Sequence, residues 1–166
     1  VIATINLPRA SRPHGISFAP GSDVFYVALE ASAQVRKFLA TDNRQTASLQ
    51  LSGRPRHLSV SENGGKLYVT NFITPSLPGE STANVDVLGG GGELVVVNAA
   101  SMTVDSTITL GYSSRSVSES AGPGIPNYLN APVLSNDEAY VYIPSKQDNI
   151  LAGALRGEPG ITFDQT

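Results

Sequence analysis

The sequence predicts an all-β fold of four-stranded antiparallel sheets, and three features carry that prediction. Composition is the first: apolar residues make up 40% of the 166-residue chain, aromatics 7% and charges 15%, with 16 Gly and 11 Pro. Such a profile suits short strands joined by many turns. The second is periodicity. Apolar and polar residues alternate with the two-residue period of half-buried strands, and no i, i+3, i+4, i+7 pattern runs long enough for a helix. The third is an internal repeat. Arg12-Pro13-His14-Gly15-Ile16-Ser17-Phe18 lies over Arg54-Pro55-Arg56-His57-Leu58-Ser59-Val60 at an offset of 42 residues. Without a gap, Val24-Phe25-Tyr26-Val27 then falls on Lys66-Leu67-Tyr68-Val69, and the turn Pro20-Gly21-Ser22 on Glu62-Asn63-Gly64. A period of roughly 40–45 residues is that of a four-stranded β-propeller blade.

A third copy, Ala131-Pro132-Val133-Leu134-Ser135 followed by Ala139-Tyr140-Val141-Tyr142-Ile143, stands 74 residues beyond the second. The longer interval is filled by residues 74–92 and 112–126, which are rich in Gly, Pro and Ser and have no sustained period. These read as loops, the longer of them exposed to proteolysis. The whole chain thus reads as one partial propeller of about three blades, at residues 12–51, 54–110 and 125–166. Strands are expected at 14–19, 24–29, 34–39 and 45–51 in the first blade. Those of the second are placed at 57–60, 66–71, 93–98 and 103–110, and those of the third at 129–134, 139–143, 150–155 and 161–165. Residues 1–7 match the pattern of residues 102–110 and read as the outer strand of a preceding blade. Phe18, Val60 and Leu134 coincide in the superposition, so each is expected to be buried between blades.

Charge and motifs narrow the function. A net charge of −3 with no block of like charges lacks the footprint of a nucleic-acid binder. No stretch approaches the roughly 20 apolar residues of a membrane helix, so no membrane insertion is expected. With no cysteine, disulfides, thiolate zinc sites and covalent c-type haem attachment are excluded within the chain. No serine sits in a G-x-S-x-G elbow. Gly89-Gly90-Gly91-Gly92 lacks the phosphate-loop spacing and precedes a strand, so it reads as a loop tip. No metal site, cofactor or catalytic residue is expected.

The innermost strand of a blade lines the central channel, which places a polar group at one channel mouth. Arg12, His14, Arg54, Arg56, His57 and Asn127 fall at or just before the start of that strand, and Lys146 joins them from the third blade. Together they could form a cationic ring for a carboxylate or phosphate, since Arg offers a planar fork of donors. Alternatively they bond neighbouring carbonyls and fix the turns between blades. Lys146, Asp148 and Asn149 read as a hydrogen-bonded turn, with cation binding as the other reading.

Tyr68-Val69-Thr70-Asn71 resembles the signature of the YVTN family of β-propeller repeats, which the Arg54 to Asn71 segment follows well. The first copy, Tyr26-Val27-Ala28-Leu29, is looser. The segments Ile125-Pro126-Asn127-Tyr128-Leu129-Asn130-Ala131-Pro132 and Pro144-Ser145-Lys146-Gln147-Asp148-Asn149-Ile150 resemble the last blades of propellers in large bacterial secreted or surface proteins. Some of those are fused to a di-haem cytochrome c peroxidase-like domain. The resemblance implies an extracytoplasmic location, periplasmic, secreted or at the cell surface, and more architecture than chemistry. Asn136-Asp137-Glu138 replaces the family's usual Pro-Asp-Gly turn.

The leading expectation is a non-catalytic module of a secreted or surface protein that binds a protein or a small anionic ligand. The alternative is the propeller portion of a c-type haem oxidoreductase whose redox domain lies outside this chain. A weaker third reading is an enzyme whose site forms at the mouth of the complete ring. Two copies associating head to tail would cover the apolar faces that three blades leave open.

Overall fold

A computed structural model of the chain describes residues 3–73, 91–116 and 124–148. The first blade consists of β1 (Pro13–Phe18), β2 (Val24–Leu29), β3 (Gln34–Leu39) and β4 (Gln45–Gln50). The second consists of β5 (Pro55–Val60), β6 (Lys66–Asn71), β7 (Gly92–Asn98) and β8 (Thr103–Leu110). Each is an antiparallel sheet whose strands follow in chain order. In the third repeat the described strands β9 (Ile125–Asn127), β10 (Val133–Leu134), β11 (Val141–Tyr142) and β12 (Lys146–Asp148) form two separate antiparallel pairs, β10 with β11 and β9 with β12, instead of one four-stranded sheet.

Sequence pattern tracks position in the sheet. Inner-middle strands are covered on both faces, and accordingly β2 reads Val-Phe-Tyr-Val-Ala-Leu and is buried from Phe25 to Leu29. The outer strand β8 reads Thr-Val-Asp-Ser-Thr-Ile-Thr-Leu and is exposed along seven of its eight residues. A polar edge of this kind discourages pairing with foreign strands.

The 42-residue period extends to individual bonds. Phe18 stands opposite Phe25 as Val60 stands opposite Leu67 and Leu134 opposite Val141. Both β1 and β5 shift register just after Pro13 and Pro55, where proline cannot donate to the ladder. The turn after each inner strand holds a residue of positive φ: Ser22 at 61°, Gly64 at 71° and Glu138 at 53°. In the second and third blades the same side chains build it. Ser61 Oγ donates to Asn63 Oδ1 (2.8 Å), and Ser135 Oγ donates to Asp137 Oδ1 (2.6 Å). The hydroxyl and the Ala139 amide hold the Asp137 carboxyl below its ordinary pKa. Asn136-Asp137-Glu138 therefore makes the turn its position demands.

The core lies between blades. Tyr26, Ala28 and Val35 of the first pack with Leu58, Leu67, Val69, Val95 and Val97 of the second. Tyr26 Oη and Lys37 Nζ both donate to the Ala99 carbonyl, at 3.4 and 2.7 Å. At Gly15 a Cβ would stand 2.4 Å from the Arg56 carbonyl, so the inner strands approach this closely only through glycine. The second blade is tied to the third by Thr70 Oγ1, which donates to the Asn130 carbonyl (2.9 Å).

Several expectations need correction. Phe18 is 51% exposed, whereas Val60 and Leu134 are half-buried. The alignment is right, but no described residue covers the inner part of the first blade's outer-facing surface. In the third blade only Val133–Leu134 of the expected strand 129–134 is a strand, and β9 lies before it at Ile125–Asn127. Pro126 and Pro132 remove ladder donors, and Tyr128, with φ at 51°, turns the chain between them. Lys146–Asp148 is a strand paired with β9, not a turn. Residues 3–7 lie outside any sheet, and Ile5 and Leu7 pack on Phe25, Val27, Leu29 and Phe38. The expected strands at 150–155 and 161–165, residue Asn149 and residues 74–90 of the long loop fall outside the described residues. Among the described residues no helix is long and apolar enough to cross a membrane.

Candidate functional site

The start of each inner strand meets the end of the next strand outward, and the repeat places both pairs alike. Glu30 N donates to the Arg12 carbonyl at 3.0 Å, and Phe72 N donates to the Arg54 carbonyl at 2.9 Å. These equivalent bonds fix the backbone of Arg12 and Arg54 at the same end of adjacent blades. Between them lies a cleft of about 230 Å3 lined by Arg12, Glu30, Ala31, Ala33, Gly53 and Arg54. Both guanidinium groups are exposed, and among the described residues neither makes a hydrogen bond or ion pair.

Arg56, two residues along, is occupied. Its Nε and Nη2 donate to the Glu30 carboxylate at 2.9–3.1 Å, and the guanidinium lies over the Phe72 ring, 3.2 Å from its centroid. The Glu30 side chain is 2% exposed and that of Arg56 16%. A carboxylate so buried requires its charge to be matched. Arg56 matches it across the blade boundary, and Arg12 and Arg54 take no part in that pairing.

His14 and His57 form an edge-to-face pair with ring centroids 5.1 Å apart. Burial, then the charges of His14 and Arg56, lower the pKa of His57, against an opposing pull from Glu30. His57 is thus neutral near neutral pH, and the mouth carries less charge than a ring of six cations. Asn127 and Lys146 stand opposite each other in β9 and β12, away from the cleft lining. Lys146 Nζ lies 5.5 Å from the centre of the Tyr128 ring, which meets Phe72 edge to face at 5.2 Å. Of the seven residues singled out by sequence, then, Arg12 and Arg54 share the cleft, Arg56 and His57 sit at the blade junction with His14, and Asn127 and Lys146 belong to the third blade.

Sequence reading missed Glu30, Phe72, Gly53 and Asn71. Glu30 had a signal: it follows an unbroken apolar strand and occupies the place that Phe72 takes one repeat later. Asn71, fully buried, donates to the Ser52 carbonyl (3.1 Å) and the Glu93 carboxylate (2.7 Å) beneath Gly53. Gly53 has φ of 84°, and a Cβ there would stand 2.5 Å from Asn71 Nδ2, so only glycine fits the cleft wall. Asn71 Oδ1 and Ser32 Oγ are buried without a hydrogen bond among the described residues.

A second concavity of about 410 Å3 lies where the inner strands end, with Ser17, Ser59, Glu62, Leu134 and Glu138 among its walls. Its lining has carboxylates and hydroxyls but no Lys, Arg or His. Charge therefore separates the two ends of the inner strands.

No protein-family model and no curated protein matches the sequence. Among solved structures the chain is similar to the hydrazine synthase of Kuenenia stuttgartiensis, with 16% identity and a TM-score of 0.58, over 86% of this chain and 32% of that one. It is also similar to a candidate 6-phosphogluconolactonase of Bacteroides uniformis, with 18% identity and a TM-score of 0.50, over 86% and 36%. The chain spans about a third of the length of these proteins. At such identities the likeness reports the fold alone, and with the two antiparallel four-stranded sheets it makes this chain part of a β-propeller.

Proposed function

We propose that the chain is a non-catalytic binding module, part of an extracytoplasmic β-propeller, that holds a carboxylate-bearing ligand, a small anion or an acidic protein segment, in the cleft between Arg12 and Arg54. The observation carrying this reading is the division of labour among three arginines: Arg56 neutralises Glu30, leaving on one small cleft two guanidinium groups that have no partner among the described residues. Each is a planar fork able to take a carboxylate through two hydrogen bonds. The extracytoplasmic assignment rests on the resemblance of Tyr68-Val69-Thr70-Asn71 to the YVTN repeat and of residues 125–132 and 144–150 to propellers of large bacterial secreted or surface proteins.

Thermal unfolding with increasing citrate tests the proposal. A ligand at about a hundred times its dissociation constant stabilises the folded state by about 2.7 kcal/mol. Arg12→Ala combined with Arg54→Ala is expected to abolish that stabilisation while leaving the unliganded melting temperature close to that of the parent. Equal stabilisation of parent and double variant would rule the cleft out.

A further inference from the structure

The sequence holds two histidines and no cysteine, and the fold brings both histidines together. His14 lies on β1 and His57 on β5, the inner strands of the two four-stranded blades, and their ring centroids stand 5.1 Å apart. The strands hold that spacing. A Cβ at Gly15, the neighbour of His14, would lie 3.1 Å from the His57 Cα, so the two backbones touch beside the pair. Among the described residues no hydrogen bond engages either imidazole, and the ring planes meet at 78° instead of stacking. Each ring therefore keeps the lone-pair nitrogen that a neutral imidazole offers as an acceptor or a metal ligand.

The separation is that of two imidazoles on one metal ion. A zinc–nitrogen bond of about 2.0–2.1 Å places the ion about 3.2 Å from a ring centre, and a tetrahedral angle then sets two such centres about 5.2 Å apart. His14 is exposed, so its ring has room to turn and aim a nitrogen at the shared point. Arg56, next to His57, adds no uncompensated charge there, because Glu30 matches it.

We propose that His14 and His57 together bind one divalent transition-metal ion of the zinc class across the boundary between the first and second blades. Imidazole suits zinc, nickel and copper, whereas magnesium and calcium take oxygen ligands. No group of three or more His, Cys, Asp or Glu is gathered among the described residues, so water completes the coordination. An ion held in this way keeps exchangeable positions, unlike the closed shell of a structural zinc site. The pair lies outside the lining of the Arg12 and Arg54 cleft, and the proposal stands independently of an anion bound there.

Titration of zinc chloride and of nickel chloride into the metal-free 166-residue chain tests this, with the histidine ring protons followed by NMR. One ion per chain is expected. The signals of His14 and His57 should shift together with zinc and broaden together with nickel, while magnesium at the same concentration leaves them unmoved. Because this readout uses the parent chain, it does not depend on a variant folding. His14→Gln and His57→Gln are each expected to weaken zinc binding in calorimetry by about tenfold or more, with unchanged far-UV circular dichroism. The double variant should be little weaker than either single one, since the site is lost once one imidazole is gone. Ring signals unmoved at millimolar zinc, a shift of one ring without the other, or equal zinc binding by parent and double variant would overturn the proposal.

Discussion

Arg54 and Arg56 are two residues apart on one strand approach, and their surroundings give them opposite tasks. Arg56 is committed to Glu30, so removing one partner leaves a buried charge behind. Arg56→Met is expected to cost about 3–5 kcal/mol, whereas Glu30→Leu with Arg56→Met should recover most of it, because apolar replacement of a whole buried pair is often neutral. Urea unfolding of the single and double variants checks this; equal destabilisation by both would show that the pair is not the cause. His57 adds a pH dependence. Its folded pKa lies below the ordinary value, so the unfolded chain takes up the proton first as pH falls. The favourable contribution is fully present above about pH 6.5 and is lost as pH drops through that value towards the lower folded pKa. The urea midpoint of the parent is expected to fall between about pH 7.5 and about pH 5 by more than that of His57→Gln.

At the scale of the strand, equivalence in sequence did not mean equivalence in burial. The alignment of Phe18 with Val60 is correct to the residue, as their cross-strand partners show, but burial depends on what packs from the next sheet, which a single strand cannot report. Leu67→Ala, in the fully covered position on β6, is expected to cost about 2–5 kcal/mol. Phe18→Ala, at a half-exposed position, should cost much less. Thermal melts of dilute protein distinguish them, and equal losses would contradict the packing described. β1 to β8 were legible because alternation, turn residues and the 42-residue repeat all agree. The third blade was less so: of the strand read at 129–134 only Val133–Leu134 forms, since the left-handed Tyr128 precedes it and Pro132 removes a ladder donor within it. The arginines of the site were legible by position, but their separation into one paired and two free was not. That depends on Glu30, whose partner lies 26 residues away across a blade boundary.

For the molecule as a whole, the inner strands run between two concavities of different charge: the cleft of Arg12 and Arg54 where they start, and the acidic, hydroxyl-lined space where they end. Two blades hold their shape through a shared core, and the third is tied on through Thr70 and through Tyr128 against Phe72. On the proposed reading, Arg12 and Arg54 take a ligand from backbone positions that these sheets hold, without requiring motion of the strands beneath. Backbone amide NMR during a citrate titration tests that reading most directly, because it locates the ligand on the entire chain at once. Saturable shifts concentrated at Arg12, Glu30, Ala31, Ala33, Gly53 and Arg54, and absent from Ser17, Ser59 and Glu62, are expected. Shifts centred on Ser59 and Glu62, or none at any residue of the cleft, would contradict it.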